Sequence, residues 1–478
     1  MILASIFVCF CLASAINYCR TRRQRKFVAN LKGPIAWPLV GAMHKIVLLT
    51  QKNFFQHGSK YLAKYGTLTR CWIFHRLFIP VADLELAKQL LESDSHQETG
   101  NELMRDWLGD SLLCCAPEQW AQRHRRLATF FQSDNTHQLV KLLQKQAEQM
   151  CAELLIYAES RQVFDVWQVV SPKVLDFILT VNRGVCPSDQ YKEAFSNLTE
   201  LYRQRFLSIK SANRLTFWLG SPLKRRRQLR LIKRINFENK LVLNQCRQQR
   251  DKNGSTAIKV DHIELPTRLD HQSLIDVLAA SENLTDEQLF AELNACNYSG
   301  YLLCSTTVCF ALVEIARHPT VQQRCLEELR AARKDKEWNL RELTFLEAVL
   351  KETLRLHPPQ LIVARQLSQD FQYTHSKVGD AALPAGAEVY INLQELQRSE
   401  QSQHFQPERF LQPAAELLSF GLGPRSCPAQ QFSLLLLKSL LAPLLLQFEL
   451  LPLGDALRPN LRLAPGSRNG FQMAVQLR

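Results

Sequence analysis

Among fourteen cysteines there is no Cys-x-x-Cys pair, so zinc ribbons and thioredoxin-like redox motifs lack the spacing they need. Several cysteines sit in apolar runs, as at Cys114 and Cys115 in SLLCC or Cys304 and Cys309 in LLCSTTVCF, where a thiol serves as a small buried hydrophobe. That spread suits a reducing compartment better than a disulfide framework. No internal repeat and no low-complexity tract occurs, which excludes repeat arrays and biased linkers. Acidic residues are outnumbered, 45 against 59 basic, and the net charge of +14 admits a nucleic acid, an anionic membrane or an acidic partner. With 46% apolar and 22% charged residues over 478 positions, the chain can bury a large core.

Charge is missing altogether from residues 2–18, ILASIFVCFCLASAINY. As a helix this stretch spans about 26 Å, enough for a thin bilayer. Arg20, Arg22, Arg23, Arg25 and Lys26 follow at once, an order that holds the rest of the chain in the cytosol. A cleaved signal peptide would carry its basic residues before the run and a small-x-small site after it. We therefore expect a membrane anchor over 1–19, a basic stop-transfer segment and proline-rich hinge over 20–41 (Gly33-Pro34-Ile35-Ala36-Trp37-Pro38-Leu39-Val40-Gly41), and one domain over 42–478. Sequons at Asn197, Asn253, Asn283 and Asn297 should then be unmodified, because glycosylation is lumenal.

The periodicity predicts a mostly α fold with a small β region. Strands are expected within Leu68–Ala82 and Phe371–Leu393, with Leu383-Pro384-Ala385-Gly386 as a turn, and long helices over Asn135–Ala158, Thr285–Arg317 and Gln431–Phe448. Lys224–Arg234 carries seven basic residues, but its leucines and isoleucine at helical spacing mark a solvated helix face, so no nucleic acid is expected. The aromatic segment Leu215-Thr216-Phe217-Trp218-Leu219 beside it reads as a membrane-surface contact or as core.

One segment carries chemistry: Phe420-Gly421-Leu422-Gly423-Pro424-Arg425-Ser426-Cys427. Two glycines let the backbone turn and approach a flat ligand. Cys427 stands at the start of a long apolar helix, where the macrodipole favours a thiolate, and Arg425 can pair with a carboxylate. This segment resembles the haem loop of cytochromes P-450, Phe-Gly-x-Gly-x-Arg-x-Cys-x-Gly, with Ala429 at the last glycine. Lys351-Glu352-Thr353-Leu354-Arg355 is similar to the family's Glu-x-x-Arg helix and Phe405-Gln406-Pro407-Glu408-Arg409-Phe410 to its Pro-Glu-Arg-Phe segment. The resemblance runs from Gly33 to the C-terminus. It is strongest to the fatty-acid ω-hydroxylase-like branch, family 4, on Leu284–Glu287, Ala316–Pro319, Lys351–Pro358 and Ala364-Arg365-Gln366-Leu367 with Asp370.

The resemblance implies the cytochrome P-450 fold, with 42–478 as a haem-thiolate catalytic domain. It implies Cys427 as the axial ligand of haem b and a charged triad, Glu352, Arg355 and Arg409, supporting the loop. Arg425, Arg365, Trp120 and Phe420 are implied at the cofactor. The family's Trp-x-x-x-Arg arginine is replaced by His124, with Arg123 or Arg125 as substitutes. The haem should be noncovalent, because Ser299 stands where branch members carry an esterifying glutamate. The implied reaction inserts one atom of O2 into a lipophilic substrate (a fatty acid, terpenoid, steroid or xenobiotic). Its electrons come from NADPH through a membrane-bound reductase, with cytochrome b5 as a further partner, at the cytosolic face of the endoplasmic reticulum.

The family's acid–threonine pair over the iron is missing. Counting back without gaps from His318-Pro319, Gly300 keeps the family's glycine, but Leu302 and Leu303 stand for the acid and the threonine. Thr306, a turn later, is the alternative register and requires an irregular helix. A side-chain proton relay contributes roughly 10²–10⁴-fold, so three readings stand: a monooxygenase using water or the shifted hydroxyls, a hydroperoxide isomerase or dehydratase needing no relay, or a non-catalytic haem protein that binds a ligand.

Overall fold

Thr285 and Gln288 form a capping box: Gln288 N donates to Thr285 Oγ1 (3.3 Å) and Thr285 N to Gln288 Oε1 (3.2 Å). From it starts a 32-residue helix, Asp286–Arg317, and the next helix opens at Pro319, a residue suited to a helix's first turn. In the computed structural model, residues 2–93, 96–99, 102–132, 136–206, 208, 214–251, 268–269, 271–281, 284–334, 337–377, 379–399, 403–413 and 415–478 are described. Asp286–Arg317 is apolar and long enough to cross a membrane, yet 83% of its most apolar window is buried in the body. It is a core helix.

Among the helices are α1 (Ile2–Phe27), α2 (Pro117–Gln132), α3 (Thr136–Ser160), α4 (Trp167–Arg183), α5 (Asp189–Arg205), α6 (Pro222–Asp251), α7 (Asp286–Arg317, the core helix), α8 (Thr344–Leu356) and α9 (Gln430–Gln447), and α4, α8 and α9 pack against α7. Helix α9 is apolar on every side and buries seven leucines, as a helix enclosed by others should. The β region includes β1 (Cys71–Ile73), β2 (Arg76–Val81), β3 (His96–Thr99), β4 (Ile362–Leu367), β5 (Phe371–His375), β6 (Gly379–Leu383) and β7 (Glu388–Asn392), with three smaller sheets elsewhere. One sheet runs β1-β2-β7-β4-β3, with β7 parallel to β2 and antiparallel to β4, and β5 and β6 form a separate hairpin. Leu383–Gly386 turns as expected, with Gly386 at φ +76°. The strand His96–Thr99 has no alternating pattern and was not anticipated. Asn135, Asn253 and Asn283 lie outside the described residues.

The expected boundary at residue 19 is not a break in structure, because α1 continues through the basic run. Its last turns dock on the body: Gln24 Nε2 donates to Ala385 O (2.8 Å), Arg23 pairs with Asp370 (2.5 Å), and Arg25 lies over Trp72 (4.5 Å). Ile6, Phe7, Val8, Phe10, Leu12 and Ile16 on its first turns are exposed. On α6 Lys224, Arg226, Arg227, Arg230, Lys233 and Arg234 face solvent while Ile232 and Ile235 are buried, the solvated-face reading of Lys224–Arg234; Arg225 alone of the seven turns inward, to pair with Asp106 (3.2 Å). Phe217 is fully buried, whereas Trp218 and Leu219 are exposed. Asn297 is also fully buried, so it cannot report topology.

Where α7 meets the end of α8, His357 Nε2 lies 2.8 Å from Glu314 Oε1 and its ring stacks on Phe310 (centroids 4.2 Å apart). Burial pushes the His357 pKa down, only partly offset by Glu314. A histidine lowered in the fold adds stability above its unfolded pKa of about 6.5 and loses it as pH falls below that value. The melting temperature should therefore drop between about pH 7.5 and 5.5. His357→Gln, which keeps an amide donor for Glu314 and does not titrate, should flatten that drop in thermal scans at several pH values.

Candidate functional site

The Phe420–Cys427 loop is tied at both ends. Cys427 N donates to Phe420 O (2.7 Å), Gly421 N to Leu418 O (2.8 Å) and Ser426 N to Gly423 O (3.1 Å). Gly421 and Gly423 have φ +76° and +66°, which side chains rarely adopt. Their surroundings differ. A Cβ on Gly423 would stand 2.7 Å from Glu92 Cα, so the second glycine serves packing against Leu84–Glu92 and not the approach of a ligand. Ala429 holds φ −103° as the N-cap of α9, a conformation that needs no glycine. Cys427 thus lies three residues ahead of α9 rather than on its first turn. Burial pushes its thiol up and the Ala429 backbone N–H pulls it back only in part, so the helix alone does not make a thiolate.

Cys427 lines a cavity of about 240 Å³ between this loop and α7. Its walls are largely apolar, among them Leu112, Leu113, Ile178, Val363, Phe420 and Phe432. Arg425, Arg365 and Trp120 also line it, and all three are buried. The Arg425 guanidinium lies over the Trp120 indole at 4.9 Å. A soft thiol on one wall, with two guanidinium groups and an indole N–H among apolar faces, fits a flat, largely apolar metal complex carrying carboxylates. The residues present fit a haem.

The triad assembles. Arg355 donates from Nε to Glu352 Oε2 and from Nη2 to Glu352 Oε1 (both 2.8 Å), and Arg409 Nε reaches Glu352 Oε2 at 3.2 Å. Glu352 is fully buried, so this is no surface ion pair. Gln397 then connects it to the loop: its carbonyl accepts from Arg355 Nη1 (2.8 Å), its amide donates to Ser419 Oγ (3.0 Å) and its Oε1 accepts from Leu418 N (2.9 Å).

Two expectations for α2 are corrected. Arg123 does not replace the missing arginine: its Nη1 pairs with Glu292 Oε1 at 2.9 Å and its Nη2 with Asp110 Oδ2 at 3.2 Å. Arg125 is exposed. His124 stacks on Trp120 (4.5 Å), and its Nε2 lies 3.0 Å from Ser426 O. A carbonyl only accepts, so the ring donates and fixes the residue before Cys427. Glu292, like Gln397, is a residue that sequence reasoning missed. It is buried, lines the cavity and also accepts from Leu112 N (3.0 Å). One signal was available: Glu292 lies seven and eight residues before Ser299 and Gly300 on the same helix, hence on one face.

Helix α7 is α-helical throughout, so the alternative register has no irregularity to support it. Thr306 is buried but does not line the cavity; Thr307 does, and its hydroxyl donates to Leu303 O (2.8 Å). Leu303 faces the cavity, whereas Leu302 packs in a cluster with Trp107, Phe195 and Tyr298. Gly300 lines the cavity and also lets α7 close on α4, since a Cβ there would stand 2.9 Å from Ile178 Cδ1.

The fold and cavity define a mostly helical protein with a largely apolar, thiol-lined site against its long core helix. A family model described as Cytochrome P450 matches residues 31–466. The chain is 54% identical over 488 residues to probable cytochrome P450 316a1 of Drosophila melanogaster, covering 100% of both chains. To cytochrome P450 4d8 of the same fly it is 30% identical over 462 residues, 91% of this chain and 99% of that one. To cytochrome P450 4d2 it is 28% identical over 475 residues, 94% of each. The chain belongs to the cytochrome P450 family and is a haem monooxygenase, an oxidoreductase.

The two leucines should respond differently to substitution. Leu302→Asp places a carboxylate in an apolar cluster and should prevent folding or cost several kcal/mol, roughly the upper range for single changes. Leu303→Thr faces the cavity and can bond its own helix carbonyl, so it should cost about 1–3 kcal/mol and leave the fold intact. Thermal denaturation of both variants separates these outcomes, and the reverse order would overturn the facing assigned to α7.

Proposed function

We propose that Cys427 would ligate the iron of a noncovalent haem b, that Arg365, Arg425, Trp120 and Phe420 would hold the cofactor, and that the Glu352–Arg355–Arg409 triad supports the loop from behind. The observation that carries this reading is that Cys427, Arg365, Arg425 and Trp120 line one cavity. When bound, the haem supplies dioxygen activation, with the thiolate favouring O–O cleavage. The chain's own residues set the conditions. The Cys427 N–H bond to Phe420 O holds the sulfur in place, and His124 fixes the carbonyl beside it. Leucine, isoleucine and phenylalanine side chains keep bulk water out and favour a lipophilic substrate. Ser299 at the cavity lacks the carboxyl group that an ester link would need.

Electrons come from NADPH through a membrane-bound reductase, with cytochrome b5 as a second donor. Residues 1–19 anchor the protein in the endoplasmic reticulum, 20–41 lead to the body, and 42–478 form the catalytic domain on the cytosolic side. The exposed apolar side chains of α1, followed by its basic end, support this placement.

Reduced protein treated with carbon monoxide should show the red-shifted Soret band of thiolate ligation, and Cys427→Ala should lose it; a band that survives would sink the assignment. Acid extraction should release all of the haem. Asn197, a half-buried sequon on α5, should carry no glycan when the full chain is made in microsomes. A glycosidase-sensitive mass shift there would place the body in the lumen.

A further inference from the structure

Helix α7 carries leucines where an acid and an alcohol would stand, at 302 and 303, yet its cavity-facing stripe still holds polar atoms. Five such side chains line the cavity: Glu292, Cys296, Ser299, Cys304 and Thr307. Four of them are accounted for. Glu292 accepts from Arg123 Nη1 at Oε1 (2.9 Å) and from Leu112 N at Oε2 (3.0 Å). The Thr307 hydroxyl donates to Leu303 O (2.8 Å). Cys296 and Cys304 carry thiols, which are weak donors, and burial keeps both protonated. Ser299 is the fifth, and its hydroxyl has no partner among the described residues.

A hydroxyl inside a helix usually bonds to the carbonyl one turn back. Thr180 does so to Asp176 O (2.6 Å), Thr199 to Phe195 O (3.0 Å), Thr353 to Val349 O (2.8 Å) and Ser439 to Leu435 O (2.9 Å). Ser299 does not turn back to Ala295 O, and its Oγ stays accessible from the cavity. Ser305 and Thr306, a turn further on, do not line the cavity at all. The position of Ser299 along α7 follows from its neighbours. Cys296 and Cys304 both lie close enough to Cys427 to act on it electrostatically. Ser299 stands between them on the same stripe, about 4.5 Å along the axis from the first and about 7.5 Å from the second. It therefore belongs to the stretch of α7 that faces Cys427 across the cavity. Gly300 beside it has no side chain to cover the hydroxyl.

We propose that Ser299 Oγ is the hydrogen-bond donor of α7 to a small polar ligand held on the side of the cofactor away from Cys427, so that the site keeps one hydroxyl although Leu302 and Leu303 supply none. The inference rests on the haem-thiolate reading above. No covalent bond is made or broken in this step: the hydroxyl donates and the ligand accepts. The walls around it, with Leu113, Ile178 and Phe432 among them, can exclude water but cannot orient an oxygen or nitrogen atom. A single free hydroxyl can do so, because a hydrogen bond has a preferred direction.

Carbon monoxide and cyanide are the probes, and neither needs turnover. In the reduced, full-length holoprotein the infrared C–O stretch should move when the buffer is exchanged for D2O, because the donor is an exchangeable O–H. Ser299→Ala should raise the stretch frequency and abolish that isotope shift. Thr307→Val removes a hydroxyl that is already engaged and should leave both unchanged. In the oxidised protein, Ser299→Ala should weaken cyanide binding roughly two- to tenfold, the loss expected for one hydrogen bond. A stretch in the natural protein that ignores D2O overturns the proposal, and that measurement needs no variant. So does an isotope shift that survives in Ser299→Ala, which would assign the donor to a water. Loss of the shift in Thr307→Val alone would make Thr307 the donor and overturn it as well. Absence of the red-shifted Soret band is a separate failure: it removes the cofactor reading, and this inference with it.

Discussion

A carboxylate with no exposed surface must have its charge met entirely by protein, and Glu352 sets that condition for the whole region around Cys427. It accepts from Arg355 on its own helix, from Arg409 and from the backbone of Gln406. Removing one partner of such a buried pair typically costs about 3–5 kcal/mol, because the other charge is left stranded. The requirement therefore holds α8 and the Pro407–Leu411 turn in one geometry. Arg355 has a guanidinium nitrogen left over, and it goes to Gln397 O. Gln397 holds Ser419 and Leu418, and Leu418 O receives Gly421 N. A charge buried on α8 is thus converted, through hydrogen bonds alone, into a fixed position for the loop that carries Cys427.

This linkage explains which parts of the site were legible in the sequence. The loop, the Glu-x-x-Arg pair and Arg409 keep fixed residue types because each meets a local requirement: positive φ at Gly421, a bond across one helical turn, a guanidinium at a buried carboxylate. Thr285 and Gln288 announced the start of α7 for the same reason. Gln397 was invisible, since an amide in LQELQRS looks like any other surface glutamine until α8 is packed beside it. The Arg123–Glu292 pair joins residues 169 apart in sequence. No spacing rule reaches that far, and Arg123 and Arg125 had stood equally as substitutes for the missing arginine. Strand β3 was missed because its partner, β4, supplies the register and HQET carries no alternation of its own. At the N-terminus the charge pattern marked where the apolar run gives way to the basic one, but not that Arg23, Gln24 and Arg25 are engaged by the body and carry the helix past residue 19.

Helix α7 shows two demands acting on one element and being met by different residues. Its packing faces are constrained by neighbours: Gly300 by Ile178, Leu302 by an aromatic cluster, and Asn297 by Asn182, whose amide donates to it at 2.8 Å. Introducing an acid at 302 would therefore set proton chemistry against the core, and at that position the core wins by several kcal/mol on the general scale for buried charges. The cavity-facing stripe is free of that conflict, and it is where the polar groups now lie, at Glu292, Ser299 and Thr307. Of these, Thr307 has its hydroxyl hydrogen engaged by Leu303 O, and Ser299 has no acidic proton of its own. Glu292 has both of its oxygens engaged, by Arg123 and by Leu112 N. The chemistry that a helix can host is limited first by which of its faces the rest of the protein leaves unclaimed, and on α7 that face runs through Glu292 rather than through Leu302.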